Sequence, residues 1–167
     1  MKILYLHQYF NTPSMPGSTR SYEFARRLAA KGHTVYVVTS NWQKKSKKKF
    51  TIENDINVYW GSIKYSNKMS FIRRLISFFL FALYSIKIGK KLKYDLIIAS
   101  STPLTIGIPA LLLKKVKKVK LIFEVRDVWP QLPIAMGILK SKILIKIAKL
   151  LERKIYNDSD KIIALSD

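Results

Sequence analysis

The chain has 167 residues, no cysteine, and 31 Lys plus Arg against 10 Asp plus Glu, a formal net charge of +21. With 49% hydrophobic residues it can bury a core, so the charge does not imply disorder, and the length suits a single domain. The missing cysteines exclude disulfide scaffolds, thiolate zinc sites, iron–sulfur clusters and cysteine nucleophiles, and fit a reducing compartment.

Residues 1–7 contain too few consecutive apolar side chains for a secretory signal, so a cytoplasmic location is expected. Residues 2–7 read as a short buried strand, followed by a loop of turn formers through Asn11, Pro13, Pro16 and Gly17. Ser18 or Thr19 can then cap a helix over residues 19–31, in which Tyr22, Phe24, Ala25, Leu28 and Ala29 recur at helical spacing and Gly32 is the stop. Residues 33–39 are a β-branched second strand and residues 57–60 a third. Between them, residues 44–49 are too rich in lysine for a core and read as an exposed loop.

A long apolar segment over residues 68–92 precedes a strand at 94–99. A helix at 103–116 follows, opening on Pro103 in its first turn, and then a strand at 119–124. Residues 140–156 read as an amphipathic helix with Lys142, Lys146, Lys149 and Arg153 on one stripe and Leu144, Ile147, Leu151 and Ile155 opposite. Residues 161–165 read as a last strand. Near-continuous apolar strands alternating with helices predict an α/β fold: a Rossmann-like, doubly wound, mostly parallel sheet with helices on both faces. Such sheets bind ligands at the carboxyl ends of their strands, where strand order reverses. The segments of interest are therefore residues 7–20, 39–43, 99–103 and 124–130.

The first of these lacks both the dinucleotide fingerprint and the P-loop pattern. Gly17 at the helix entrance still allows a phosphate to approach backbone N–H groups, with Arg20 one turn in. Alternatively, Gly17 only makes a turn and Arg20 is solvated. Ser100, Ser101 and Thr102 offer three hydroxyls to a substrate, although Thr102 before Pro103 is also an ordinary helix cap. Glu124, Arg126, Asp127 and Trp129 gather just beyond a buried strand, where an unpaired charge is costly. They serve either as an Arg–carboxylate pair holding the loop or as a carboxylate presented to a sugar hydroxyl beside a Trp platform. His7 ends the first strand and faces the ligand edge, His33 opens a strand as a structural residue, and neither has a partner at metal-ligand spacing.

The charge is uneven: residues 41–93 carry 13 basic and 2 acidic side chains, more than half of the excess. Within that segment twelve uncharged residues separate Arg74 from Lys87. As a helix they extend roughly 18 Å, against a hydrocarbon core of about 30 Å, and cannot span a bilayer. Aromatics with basic flanks suit a membrane interface, so one face of this helix is expected on the sheet. Its basic ends and the 44–49 loop are expected on anionic lipid, with Arg73, Arg74, Phe78, Phe79, Lys87 and Lys90 as contacts. A nucleic-acid-binding module using the same basic segment is the alternative, but its aromatics run with aliphatics rather than interleaving with lysine.

Together the opening Lys2-Ile3-Leu4-Tyr5-Leu6-His7-Gln8-Tyr9-Phe10, the Pro16-Gly17-Ser18-Thr19-Arg20 loop with Tyr22-Glu23, Gly32-His33, the Ser100-Ser101-Thr102-Pro103 turn and Glu124-Val125-Arg126-Asp127-Val128-Trp129-Pro130 resemble bacterial family 4 glycosyltransferases. The likeness is to those building polysaccharide or O-antigen repeat units. It implies the N-terminal, acceptor-side lobe of a two-lobed GT-B fold over residues 1–167, with the donor-binding C-terminal lobe absent from the chain. That lobe's usual Glu-x7-Glu pair has no counterpart here. The resemblance implies retaining transfer from a nucleotide sugar, without a required metal or other cofactor, to a polyprenyl-diphosphate-linked saccharide at the inner membrane face, and no nucleic acid partner. The donor lobe acts in cis or in trans, and a non-catalytic lobe paired with a separate donor-binding subunit is a further reading. By resemblance, Gly17 with Ser18, Arg20 and Glu23 faces the donor diphosphate, Asp127 is the catalytic-site carboxylate orienting hydroxyls, and Arg126 and Trp129 shape the pocket. His7, Ser101, Thr102 and Glu124 complete the expected substrate contacts.

Overall fold

Alternation along the first strand sorts its side chains onto two cores. The computed structural model describes residues 1–41, 49–66 and 68–165, and in it β1 (Lys2–Leu6) is the centre of a seven-stranded sheet. Leu4 and Leu6 turn to one face and Tyr5 to the other, so both faces must be covered by helices.

In chain order the elements are β1, α1 (Arg20–Ala30), β2 (Thr34–Ser40), β3 (Phe50–Glu53), β4 (Ile56–Gly61), α2 (Phe71–Lys91), β5 (Leu96–Ser100), a 3-10 turn (Leu104–Ile106), α3 (Gly107–Lys117), β6 (Lys120–Glu124), α4 (Gln131–Ala135), α5 (Lys142–Asp158) and β7 (Lys161–Ile163). The strand order is β3-β4-β2-β1-β5-β6-β7, parallel throughout except for β3 against β4. From β1 the chain builds outward through β2, then crosses back to place β5 on the other side. The order therefore reverses between β1 and β5, with Leu6 level with Val38 on one flank and Ala99 on the other. This is the doubly wound arrangement that the apolar runs predict.

α1 covers one face, where Tyr22 and Ala25 pack on Tyr5, Val35, Val37, Ile56 and Val58. α2, α3 and α5 cover the other, with Phe81, Leu113 and Ile155 against Leu4, Leu6, Ile97 and Phe123. α3 lies between its neighbours at close range: a Cβ on Gly89 of α2 would meet Leu113 Cδ1 at 2.4 Å, and one on Gly107 of α3 would meet Ile155 Cδ1 at 2.1 Å.

One strand was not anticipated, and two expectations need correction. Residues 50–53 are a strand, forming a hairpin with β4 through Asn54 and Asp55, both at positive φ; this Asn-Asp pair was the available turn signal. The helix expected from residue 103 begins as a 3-10 turn after Pro103. Thr102 is not its cap, because it sits at φ +104° and its hydroxyl bonds elsewhere. On α5, Ile147 does not join Leu151 and Ile155 on the core; it is 56% exposed. Residues 44–48 of the expected basic loop lie outside the described residues.

Candidate functional site

The loops after β1, β5 and β6 converge at the carboxyl edge of the sheet, beside the reversal of strand order. Each connection between them is a bond from a residue placed there by a strand end. Glu124, the last residue of β6, is 2% exposed and is held on both oxygens. Its Oε1 receives Arg20 Nε at 3.0 Å, and its Oε2 receives the Tyr5 hydroxyl at 3.2 Å. Burial and the Glu124 charge together push the Tyr5 phenol well above its ordinary range, so Tyr5 stays a donor.

Two residues on, Arg126 donates from its backbone N–H to Ser101 Oγ at 2.8 Å, and its Nη1 lies 3.1 Å from His7 Nε2. Burial, reinforced by the Arg126 charge, lowers the His7 pKa to about 3. The ring is therefore neutral, accepts at Nε2 from the guanidinium and carries its proton on Nδ1. Asp127 follows, and its Oδ2 receives the Thr102 hydroxyl at 2.5 Å. Among the described residues that hydroxyl is the only hydrogen-bond donor to the carboxylate. Trp129 packs one side on the core and keeps the other half-exposed.

The first loop is shaped by Gly17, at φ +116°. A Cβ there would be strained and would sit 2.6 Å from Asn11 Nδ2, which itself donates to the Ser18 carbonyl at 3.4 Å. Thr19 occupies the N-cap of α1 without a side-chain cap bond. The helix therefore presents its positive end at the ligand edge, with Arg20 beside it, an arrangement suited to an anion.

These bonds divide the expected site residues. Gly17, Ser18, Arg20, Thr102, Arg126, Asp127 and Trp129 reach the surface at the edge. His7, Ser101 and Glu124 are buried beneath them and act as anchors: His7 and Ser101 for Arg126, Glu124 for Arg20. Of their side-chain atoms, the Glu124 oxygens, Ser101 Oγ and His7 Nε2 are engaged within the chain, and His7 Nδ1 has no hydrogen-bond partner among the described residues. The expected Arg–carboxylate pair within the third loop is replaced, since Glu124 pairs with Arg20 and Arg126 with His7. Glu23 does not join the cluster; its carboxylate faces Arg26 at 2.8 Å and Arg27 at 4.0 Å on the outside of α1.

Tyr5 was missed because its ring reads as ordinary strand core. Gln8 was missed too: it is wholly buried, its carbonyl accepts from Thr39 Oγ1 and Ser40 Oγ, and no described residue bonds its side-chain amide.

On the outer face, α2 carries an apolar stripe of Ile72, Ile76, Phe79, Leu80 and Leu83, each half-exposed or more, with Arg73, Lys87 and Lys90 exposed at its ends. Phe78 turns inward, its ring stacked on Tyr65 at 5.7 Å, and Arg74 is half-buried, so these two leave the expected lipid-facing set. No helix among the described residues is long and apolar enough to cross a membrane.

Residues 17–167 match the family model described as Glycosyltransferase Family 4. Sucrose-phosphate synthase from Thermosynechococcus elongatus matches among solved structures, with a TM-score of 0.67 and 14% identity over 96% of this chain. The chain covers 41% of that structure's length, and the likeness is one of fold. No curated protein matches the chain.

Proposed function

The chain belongs to glycosyltransferase family 4, and from that premise we propose that it is the acceptor-side lobe of a retaining glycosyltransferase. It receives a lipid-linked, polyprenyl-diphosphate saccharide and works with a donor-binding lobe that supplies the nucleotide sugar. The observation that carries this reading is the Thr102–Asp127 contact: a half-exposed carboxylate, oriented by one hydroxyl, between an Arg126 anchored from below and a half-exposed Trp129.

In retaining transfer the sugar develops oxocarbenium character while the diphosphate leaves. Catalysis then depends on fixing the reactants and stabilising charge on the leaving group. Asp127 orients sugar or acceptor hydroxyls by accepting their protons in hydrogen bonds, and Trp129 gives the ring an apolar wall. The Gly17 loop, the positive end of α1 and Arg20 face the diphosphate, and Glu124 holds the Arg20 guanidinium in place. Arg126 is a fixed cation for the acceptor's own phosphates, because His7 and Ser101 set its side chain and backbone. The α2 stripe brings the site to an anionic membrane surface, where a lipid-linked acceptor resides.

The test is acceptor binding by residues 1–167. The chain alone should retain a polyprenyl-diphosphate saccharide, and Arg126→Ala should weaken retention at least tenfold, as expected for a charge-assisted contact. The chain alone should transfer no sugar. Transfer by the isolated chain, or retention unaffected by Arg126→Ala, would overturn the acceptor-lobe assignment.

A further inference from the structure

α5 exposes more apolar surface than packing on the sheet accounts for. At about 100° per residue its side chains fall into three stripes. Leu144, Ala148, Leu151 and Ile155 share the inward one, with Ile155 fully buried, Leu151 packed on the core and Leu144, in the first turn, 37% exposed. Ile143, Ile147 and Leu150 form a second apolar stripe, outside the core clusters of the described residues and 72%, 56% and 56% exposed. Lys142, Lys146, Lys149 and Arg153 run alongside it.

Single exposed apolar residues are ordinary, but an aligned stripe beside a row of cations is not. Among the described residues none of those four cations joins an ion pair. Ion pairs form at the far ends of α5 and α3, Lys154 with Asp158 and Lys114 with Asp160, and on α1, Glu23 with Arg26, but not on this row. Residues 140–154 hold 6 basic side chains and 1 acidic. A second copy laid on this surface would bring like charges together, and a nucleic acid would use the cations but leave Ile143, Ile147 and Leu150 in water. A surface that is anionic outside and apolar just beneath matches both rows at once.

The topology adds a second reason. α2 and α5 lie on the same face of the sheet with α3 between them, and both start at the carboxyl edge, since each follows a parallel strand and returns antiparallel to it. Their exposed apolar halves are the N-terminal ones, α2 from Ile72 to Leu83 and α5 from Ile143 to Leu150. We propose that the N-terminal half of α5 is a second lipid-docking element, inserting Ile143, Ile147 and Leu150 among acyl chains while Lys142, Lys146 and Lys149 reach anionic headgroups. With α2 it seats the chain at two points and turns the carboxyl edge of the sheet toward the bilayer. The inference rests on the membrane reading of α2 for the second point and on the α5 surface itself for the first.

The test is partition of the 167-residue chain onto vesicles of phosphatidylcholine with and without phosphatidylglycerol. An α5 apolar variant (Ile143→Ser, Ile147→Ser, Leu150→Ser) should partition roughly tenfold more weakly onto the anionic vesicles. An α5 charge variant (Lys142→Gln, Lys146→Gln, Lys149→Gln) should lose on the order of tenfold to a hundredfold on anionic vesicles and nothing on neutral ones. The charge variant removes no packed side chain, so it decides the matter if the apolar variant unfolds. A parallel α2 variant (Ile72→Ser, Phe79→Ser, Leu83→Ser) separates the two claims. Loss with α2 alone overturns the α5 element and leaves α2 standing; loss with α5 alone supports α5 and overturns α2; loss with neither overturns both. An α5 apolar variant that breaks up a dimer in lipid-free solution, with partition unchanged, overturns the proposal in favour of self-association.

Discussion

A glutamate at 2% exposure destabilises a fold unless its charge is met, and Glu124 is met on both oxygens, by Arg20 and Tyr5. Removing it leaves a buried phenol without an acceptor and an unanchored guanidinium. Glu124→Ala should therefore cost about 2–4 kcal/mol in urea unfolding. Glu23→Ala, which deletes a carboxylate paired on the exposed face of α1, should leave the urea midpoint nearly unchanged. Equal effects would contradict the division between anchor and surface pair. His7 gives a pH signature. Its folded pKa, about 3 through burial and Arg126, lies below the ordinary value near 6.5. Its contribution is thus complete above about pH 6.5 and is lost as pH falls toward 3, at about 1.4 kcal/mol per pH unit. Between pH 7 and pH 5, above the carboxylate range, the chain should lose about 2 kcal/mol, and His7→Gln should flatten that slope. A slope unchanged by the substitution would mean that His7 already titrates normally.

Among the elements, the buried parallel strands were legible because they are continuous apolar runs, and their alternation with helices identified the edge where the site forms. What could not be read is what lies between distant segments. Arg20 meets Glu124 across 104 residues and His7 meets Arg126 across 119, and no local pattern encodes either pairing. β3 escaped because it is four residues long and half-exposed, and it depends on β4 for its pairing. On α5 one periodicity concealed another: apolar residues at 143, 147 and 150 sit one position off the buried stripe, and only packing shows which of the two is covered. The close α3–α5 contact at Gly107 makes an element-scale prediction. Ala favours helix by about 1 kcal/mol over Gly, yet its Cβ would meet Ile155 Cδ1 at 2.1 Å and Cγ1 at 2.4 Å. Gly107→Ala should therefore destabilise, by about 1–3 kcal/mol. Adding Ile155→Val, which deletes the nearer of those two carbons, should recover part of the loss. Destabilisation indifferent to the second change would place the cause outside the α3–α5 contact.

For the molecule as a whole, the +21 charge separates into parts with different duties. Arg20 and Arg126 are tied into the site. Lys114 is paired with Asp160, and Lys117 donates to the Lys90 and Leu92 carbonyls at the end of α2. The cations that flank the exposed stripes of α2 and α5 join no ion pair among the described residues. On the function proposed above, the site and the exposed stripes of α2 and α5 share one edge of the sheet, which suits a lipid-linked acceptor. The central claim is that Asp127, set by Thr102, orients the reacting hydroxyls in glycosyl transfer. Its most direct test joins the chain to a donor-binding lobe and measures transfer from a nucleotide sugar to a lipid-linked saccharide, with acceptor retention followed in parallel. Asp127→Ala should lower kcat by roughly a hundredfold or more while retention and folding persist; full turnover in that variant would contradict the account.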